Sequence, residues 1–209
     1  MLSLWEGNLE GTPVVVAITG VGKVAAALAT QFVIDTFEPR CAVVIGLGGA
    51  TESHTEVGQL IVASGALQHD VDARPLVNVR GLIPGLGTTV LSPDPALSEK
   101  LRRAAEIAVE KPQIVRSGVI LTGDQIITSR DVRDRLLSDF PNGVCFDMET
   151  AAIAQVAHQN HLPWAAIRIT SDAADESFDL AEVFSFGTRT AAQIFDRIVR
   201  VALRTPTDD

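Results

Sequence analysis

Cys41-Ala42-Val43-Val44-Ile45-Gly46-Leu47-Gly48-Gly49 is an almost unbroken apolar run that closes on three glycines. A strand with one wet face alternates apolar and polar residues, and this run does not. Both of its faces are therefore expected to be covered, as in the sheets of α/β proteins. In such sheets ligands lie beyond the carboxyl ends of the strands. The run thus predicts the fold class and says where the chemistry should be sought.

Working outward, residues 2–7 read as a strand, followed by a glycine-containing turn and a second strand over 13–19. The turn Gly20-Val21-Gly22 leads into a helix over 23–37, with Val24, Ala27, Leu28 and Phe32 on one face, and Pro39 ends it. Downstream, strands are predicted over 57–64, 115–121, 144–148 and 164–170. Helices are predicted over 95–109, from a cap at Thr128 or Ser129 to 140, over 149–159 and over 187–203. Leu97, Leu101, Ala104, Ala105 and Ala108 mark the inner face of the first of these; Ala191, Ile194, Phe195, Ile198 and Ala202 mark that of the last. Residues 68–91, rich in Asp, Pro and Gly, read as a loop with short strands. Strands and helices alternate without repeats or linkers, which predicts one α/β domain around a mixed, largely parallel sheet.

Composition narrows the partners. The 209 residues carry a net charge of -9 and contain lysine only at 23, 100 and 111. A nucleic-acid backbone or an anionic membrane would demand a basic face, so neither is an expected partner. The first residues lack a basic segment followed by an apolar core, and no run approaches the ~20 apolar residues of a spanning helix, so the cytoplasm is the expected location. Cys41 and Cys145 both lie in apolar runs and are expected to be buried thiols. His54, His69, His158 and His161 show no metal-ligand spacing, and no metal or cofactor is expected.

Two glycine turns invite nucleotide readings and fail them. Ala17 and Val24 stand where a P-loop needs a glycine and a hydroxyl residue, and Thr51 stands where the dinucleotide fingerprint needs its third glycine. They remain turns through which a backbone or a helix N-terminus can approach a ligand.

Two carboxylates at strand ends carry more. Glu149 follows a buried-looking strand and opens a helix; there it can accept from two neighbouring hydroxyls, or merely complement the helix dipole. Asp172 follows the 164–170 strand, beside Ser171 and the acids Asp175 and Glu176. Screened from water it could act as a proton donor, or it could cap a turn. Arg168, on the same strand, could supply charge near either acid or pair with one of them.

Together, Phe146-Asp147-Met148-Glu149-Thr150-Ala151-Ala152-Ile153-Ala154 and Arg168-Ile169-Thr170-Ser171-Asp172-Ala173-Ala174-Asp175 resemble the nucleoside phosphorylase and nucleosidase superfamily. The nearer likeness is to the 5′-methylthioadenosine/S-adenosylhomocysteine nucleosidases. Asn8 to Thr12, Gly20 to Ala27, Val57-Gly58-Gln59, His69-Asp70-Val71-Asp72 and Thr122-Gly123-Asp124 follow in the family's order, so the resemblance spans the chain. It implies a three-layer α/β/α sandwich and hydrolysis of the N-glycosidic bond of a purine nucleoside. By the same resemblance Glu149 and Met148 hold the ribose hydroxyls, and Asp172, supported by Ser171, serves the departing base. Gln125-Ile126-Ile127 would lie beside the base, with Ile127 offering backbone bonds to its edge. Phe146 would be a further substrate-binding residue, and Val21 would touch the sugar's 5′ side. A second copy of the chain, most simply in a dimer, would close the site with the loop from Asp70 to Leu91.

Three positions depart from the family pattern. The chain opens at what would be the family's second strand, so 1–209 is expected to be one domain without the first strand and its water-activating glutamate. Glu6 and Glu10 fall in a hairpin instead, and Glu52 and His54 are weak substitutes. Leu47 stands where the hydrolases place a serine, and Ile126 where an aromatic commonly stacks on the base. A phosphorylase, which needs no base but does need an arginine cradle, and a nucleoside-binding protein without catalysis are the alternatives.

Overall fold

The computed structural model describes residues 2–51, 57–109 and 115–204. Glu52 and His54 lie outside the described residues. The chain begins with a hairpin of β1 (Ser3–Leu9) and β2 (Thr12–Ile18), joined by Glu10 and Gly11. Both turn residues have positive φ (52° and 82°), the geometry that lets a two-residue turn match the twist of its strands.

Five further strands, β3 (Ala42–Ala50), β4 (Leu60–Gln68), β5 (Val115–Thr122), β6 (Gly143–Asp147) and β7 (Trp164–Asp172), form one mixed sheet. The sheet curls until it closes, in the order β3-β6-β5-β4-β7. β3/β7, β4/β5 and β5/β6 run parallel; β3/β6 and β4/β7 are antiparallel. The expected α/β domain around a mixed, largely parallel sheet is what forms, and closure is the added feature. Strand β4 starts three residues later than predicted and runs on to Gln68, because 57–59 form a turn. The 68–91 region holds turns and a single bridge, Ala66 to Leu91, rather than short strands.

Helices α1 (Lys23–Phe37), α2 (Pro95–Ala108), α3 (Arg130–Asp139), α4 (Thr150–Gln159), α5 (Leu180–Phe186) and α6 (Ala192–Arg204) cover the sheet. The last helix, read over 187–203, is a wider turn at Gly187–Ala191 that runs into α6, and α5, which precedes it, was not predicted. On α6, Phe195 and Ile198 are buried against Leu101, Ala104 and Ala105 of α2, as the spacing predicts. α1 forms over the predicted residues, but the apolar face named for it is not its buried one. Its buried residues are Ala26, Ala29 and Thr30, while Val24, Leu28 and Phe32 are 71%, 68% and 47% exposed. Periodicity located an apolar stripe but not what covers it. Cys41 is likewise exposed, whereas Cys145 is fully buried, which pushes its thiol well above the ordinary range. Among the described residues no helix is long and apolar enough to cross a membrane.

Candidate active site

The carboxyl ends of β3, β5, β6 and β7 meet around one cluster of polar side chains. Asp147, the last residue of β6, pairs in register with Thr122 at the end of β5. Its carboxylate is wholly buried and fully engaged. Thr122 Oγ1 donates to Oδ1 at 2.5 Å, while the Thr150 backbone amide (3.0 Å) and hydroxyl donate to Oδ2. Arg168, on β7, reaches the same Oδ2 with a guanidinium nitrogen at 2.6 Å.

That guanidinium also holds Thr150 Oγ1 at 2.9 and 3.0 Å and the Leu47 carbonyl at 3.3 Å, and it stands 3.5 Å from Glu149 Oε2. Such a close passage across β3 requires glycine: a Cβ at Gly46 would sit 2.0 Å from the guanidinium nitrogen. Leu47 turns its side chain toward Gly187 on the opposite side, so only its carbonyl serves the cluster.

Glu149 is the N-cap of α4, whose first residue, Thr150, falls one residue after the predicted start. Its Oε1 accepts from the Gly22 amide at 3.0 Å, which brings the first turn of α1 onto the cluster. Burial pushes the Glu149 carboxyl above the ordinary carboxylate range, against the opposing pull of Arg168 and of the Gly22 amide. The 20–23 turn is fastened further. The Lys23 amide donates to Asp124 Oδ1 at 2.7 Å, the Asp124 amide to Asp70 Oδ2 at 3.0 Å, and Lys23 Nζ to Asp70 Oδ1 at 2.6 Å. Lys23 Nζ also reaches Gln68 Oε1 at 3.1 Å, and Gln68 holds Gln155 of α4 at 2.6 Å.

Asp172 closes β7 in register with Gly49. Ser171 Oγ donates to its Oδ2 at 2.7 Å and the Ala174 amide to its Oδ1 at 2.9 Å, so the carboxylate is locked in one orientation. A Cβ at Gly49 would come within 3.2 Å of that Oδ1. Behind it, Phe146, Ile127 and Ala174 pack into one apolar cluster with Leu67, Leu121, Leu136 and Phe140. Met148, between Asp147 and Glu149, is half-buried. Ile126 is half exposed, and Val21 is 75% exposed beside the Gly22 contact.

The structure therefore gathers Phe146, Met148, Glu149, Arg168, Ser171, Asp172 and Ile127 at adjoining strand ends, with Val21 at the rim. Sequence reasoning missed Asp147, though it stood inside the quoted motif, and missed the clasp of Lys23, Asp70 and Asp124. Glu10 is no stand-in for a base. Arg204 and then Arg200 hydrogen-bond its carboxyl and hold it down at about 2, tying the hairpin to α6. A carboxylate so acidic is a poor proton acceptor near neutral pH.

Comparison with known proteins gives the cluster relatives. A family model described as the phosphorylase superfamily matches residues 2–204. A 5′-methylthioadenosine/S-adenosylhomocysteine nucleosidase of Haemophilus influenzae is 33% identical over 172 residues, 82% of this chain and 73% of that protein. The crystal structure of the corresponding nucleosidase of Neisseria meningitidis, in complex with methylthio-immucillin-A, superposes with a TM-score of 0.87. It is 32% identical, over 95% of this chain and 86% of that one. A futalosine hydrolase mutant of Helicobacter pylori superposes with a TM-score of 0.86 at 25% identity, covering 96% of this chain and 84% of that one.

Proposed function

This chain belongs to the phosphorylase superfamily, and from that premise we propose that it is a nucleosidase hydrolysing the N-glycosidic bond of a purine nucleoside such as methylthioadenosine or adenosylhomocysteine. The observation that carries the reading is the pair of carboxylates beside one glycine segment of β3. Glu149 is reached through Arg168 at Gly46, and Asp172 lies at Gly49.

In this reading Glu149, steadied by Gly22 and flanked by Met148, grips the ribose hydroxyls. Phe146 and Ile127 border the purine, and Val21 borders the 5′ substituent. As the glycosidic bond breaks, its electron pair leaves with the purine and Asp172 gives that ring a proton. A water oxygen bonds to the sugar carbon and loses a proton to solvent, from which Asp172 is protonated again. Positive charge develops on the sugar, so the Glu149 carboxylate beside it favours the transition state. Ser171 and the Ala174 amide keep Asp172 aimed, which spares reorganisation during the reaction.

Water is favoured over phosphate by how the nearby positive charge is already used. The Gly22 and Lys23 amides at the start of α1 are occupied by Glu149 and Asp124. Lys23 is paired with Asp70 and Arg168 with Asp147. A phosphate entering here would have to displace carboxylates.

A second copy of the chain is proposed to complete the site, in a dimer located in the cytoplasm. The exposed stripe Val24, Leu28 and Phe32 begins beside Val21 and runs down α1, and Leu76 in the 68–91 loop is also exposed. Covering each large apolar side chain would contribute roughly 1.5–3 kcal/mol. Release of free adenine from methylthioadenosine in phosphate-free buffer is the test of the catalytic reading.

A further inference from the structure

Asp147 enters the reading above only as the partner that occupies Arg168, yet it is the best-satisfied carboxylate in the cluster. Its side chain has no exposed surface, and it takes hydrogen bonds from Thr122, from the Thr150 amide and hydroxyl, and from Arg168. Arg168 stands 2.6 Å from Asp147 and 3.5 Å from Glu149, so one buried cation faces two carboxylates at unequal distances. Attraction between charges falls with distance and grows as water is excluded. The nearer, wholly buried partner therefore takes most of that charge.

We propose that Asp147 is the positioning residue of this site: by neutralising Arg168 it keeps Glu149 from collapsing onto the guanidinium, leaving Glu149 Oε2 available to a substrate hydroxyl. Thr150 serves as the hinge of the arrangement, since its hydroxyl donates to Asp147 and accepts from Arg168. The groups facing Glu149 from the packed elements are Arg168 of β7, Asp147 of β6 and the Gly22 amide of α1. Burial raises the Glu149 carboxyl, Arg168 pulls it down and Asp147 pushes it up, so Asp147 opposes the cation's effect on Glu149 as the placement requires. The inference deepens the nucleosidase reading and rests on it for the identity of the hydroxyl.

The test reads Glu149 directly. Protein labelled with ¹³C at the glutamate carboxyl is titrated by NMR, the Glu149 signal being identified by its loss in Glu149→Gln. In Asp147→Asn the Glu149 midpoint is expected to fall by about one pH unit or more. The KM for a ribonucleoside is expected to rise more than the KM for its 2′- and 3′-deoxy analogues, since the grip on the hydroxyl is what is lost. Adding Arg168→Met to Asp147→Asn should return the midpoint upward. Thr150→Val, which removes the shared hydroxyl, should shift it down by a smaller amount and serves where Asp147→Asn does not fold. An unmoved Glu149 midpoint in a folded variant overturns the proposal. A shifted midpoint without nucleoside cleavage by the unmodified protein keeps the charge arrangement and rejects the nucleosidase reading instead.

Discussion

The backbone amide of Gly22 donates to Glu149 Oε1 at 3.0 Å, joining two positions 127 residues apart in the chain. Gly22 makes this contact at φ 94° and ψ 162°, a backbone region open almost only to glycine. A Cβ there would also stand 3.0 Å from Asp124 Oδ1. Gly22→Ala is therefore expected to lose about 1–3 kcal/mol of stability. It should also raise the KM for methylthioadenosine, because the turn that steadies Glu149 is displaced. Chemical denaturation and steady-state kinetics check both; an unchanged KM would detach the turn from the site.

The raised carboxyl of Glu149 has two consequences of opposite value. For activity the group must be ionised, so the acid limb of kcat/KM is expected at a pH above the ordinary glutamate range. For stability the folded state holds its proton more tightly than the unfolded state. Stability from this group is thus fully present below the unfolded value and is lost as pH rises through the folded one. Glu149→Gln should accordingly melt at a higher temperature than the parent at neutral pH while binding nucleoside more weakly. Melting curves at pH 4 and pH 7 give the check, with the gain expected at pH 7.

Asp172→Asn keeps an oxygen that can accept from Ser171 or the Ala174 amide but removes the proton donor. Turnover is expected to fall by about 10²–10⁴-fold. Affinity for methylthioadenosine, measured by calorimetry on the variant, should change far less. Turnover equal to that of the parent would remove Asp172 from the chemistry.

Much of this site could be read from the sequence because its parts are local. Asp147 and Glu149 lie within one tetrapeptide, and Arg168 and Asp172 lie four residues apart on a single strand. The 23–37 helix is also bounded where its glycine turn and proline place it. What was not legible depends on contacts between distant segments. Gly46 looked like any turn glycine until Arg168 was seen crossing it. Asp147 gave no sign of holding Arg168 rather than capping a helix. The closure of the sheet rests on the β3/β6 and β4/β7 pairings, which no strand announces by itself. The α1 stripe was visible as a pattern, but a single chain's periodicity cannot distinguish a core face from one that meets another copy.

That stripe supplies a separate prediction. Leu28 is 68% exposed at its centre, between Val24 and Phe32. Leu28→Glu would place a charge where a second copy is proposed to pack, and burying an unpaired carboxylate is costly. Light scattering after gel filtration should show a dimer for the parent and a monomer for the variant, with the variant's KM raised. A monomeric parent would show that the stripe faces solvent.

The most direct measurement follows free base by chromatography while the protein is incubated with methylthioadenosine, adenosylhomocysteine, adenosine and inosine, each with and without phosphate. Hydrolysis predicts free base and reducing sugar at the same rate in phosphate-free buffer, with methylthioadenosine or adenosylhomocysteine among the best substrates. Base released only when phosphate is present would make the protein a phosphorylase. Nucleoside that protects against melting but yields no base would contradict the catalytic reading and leave a binding protein.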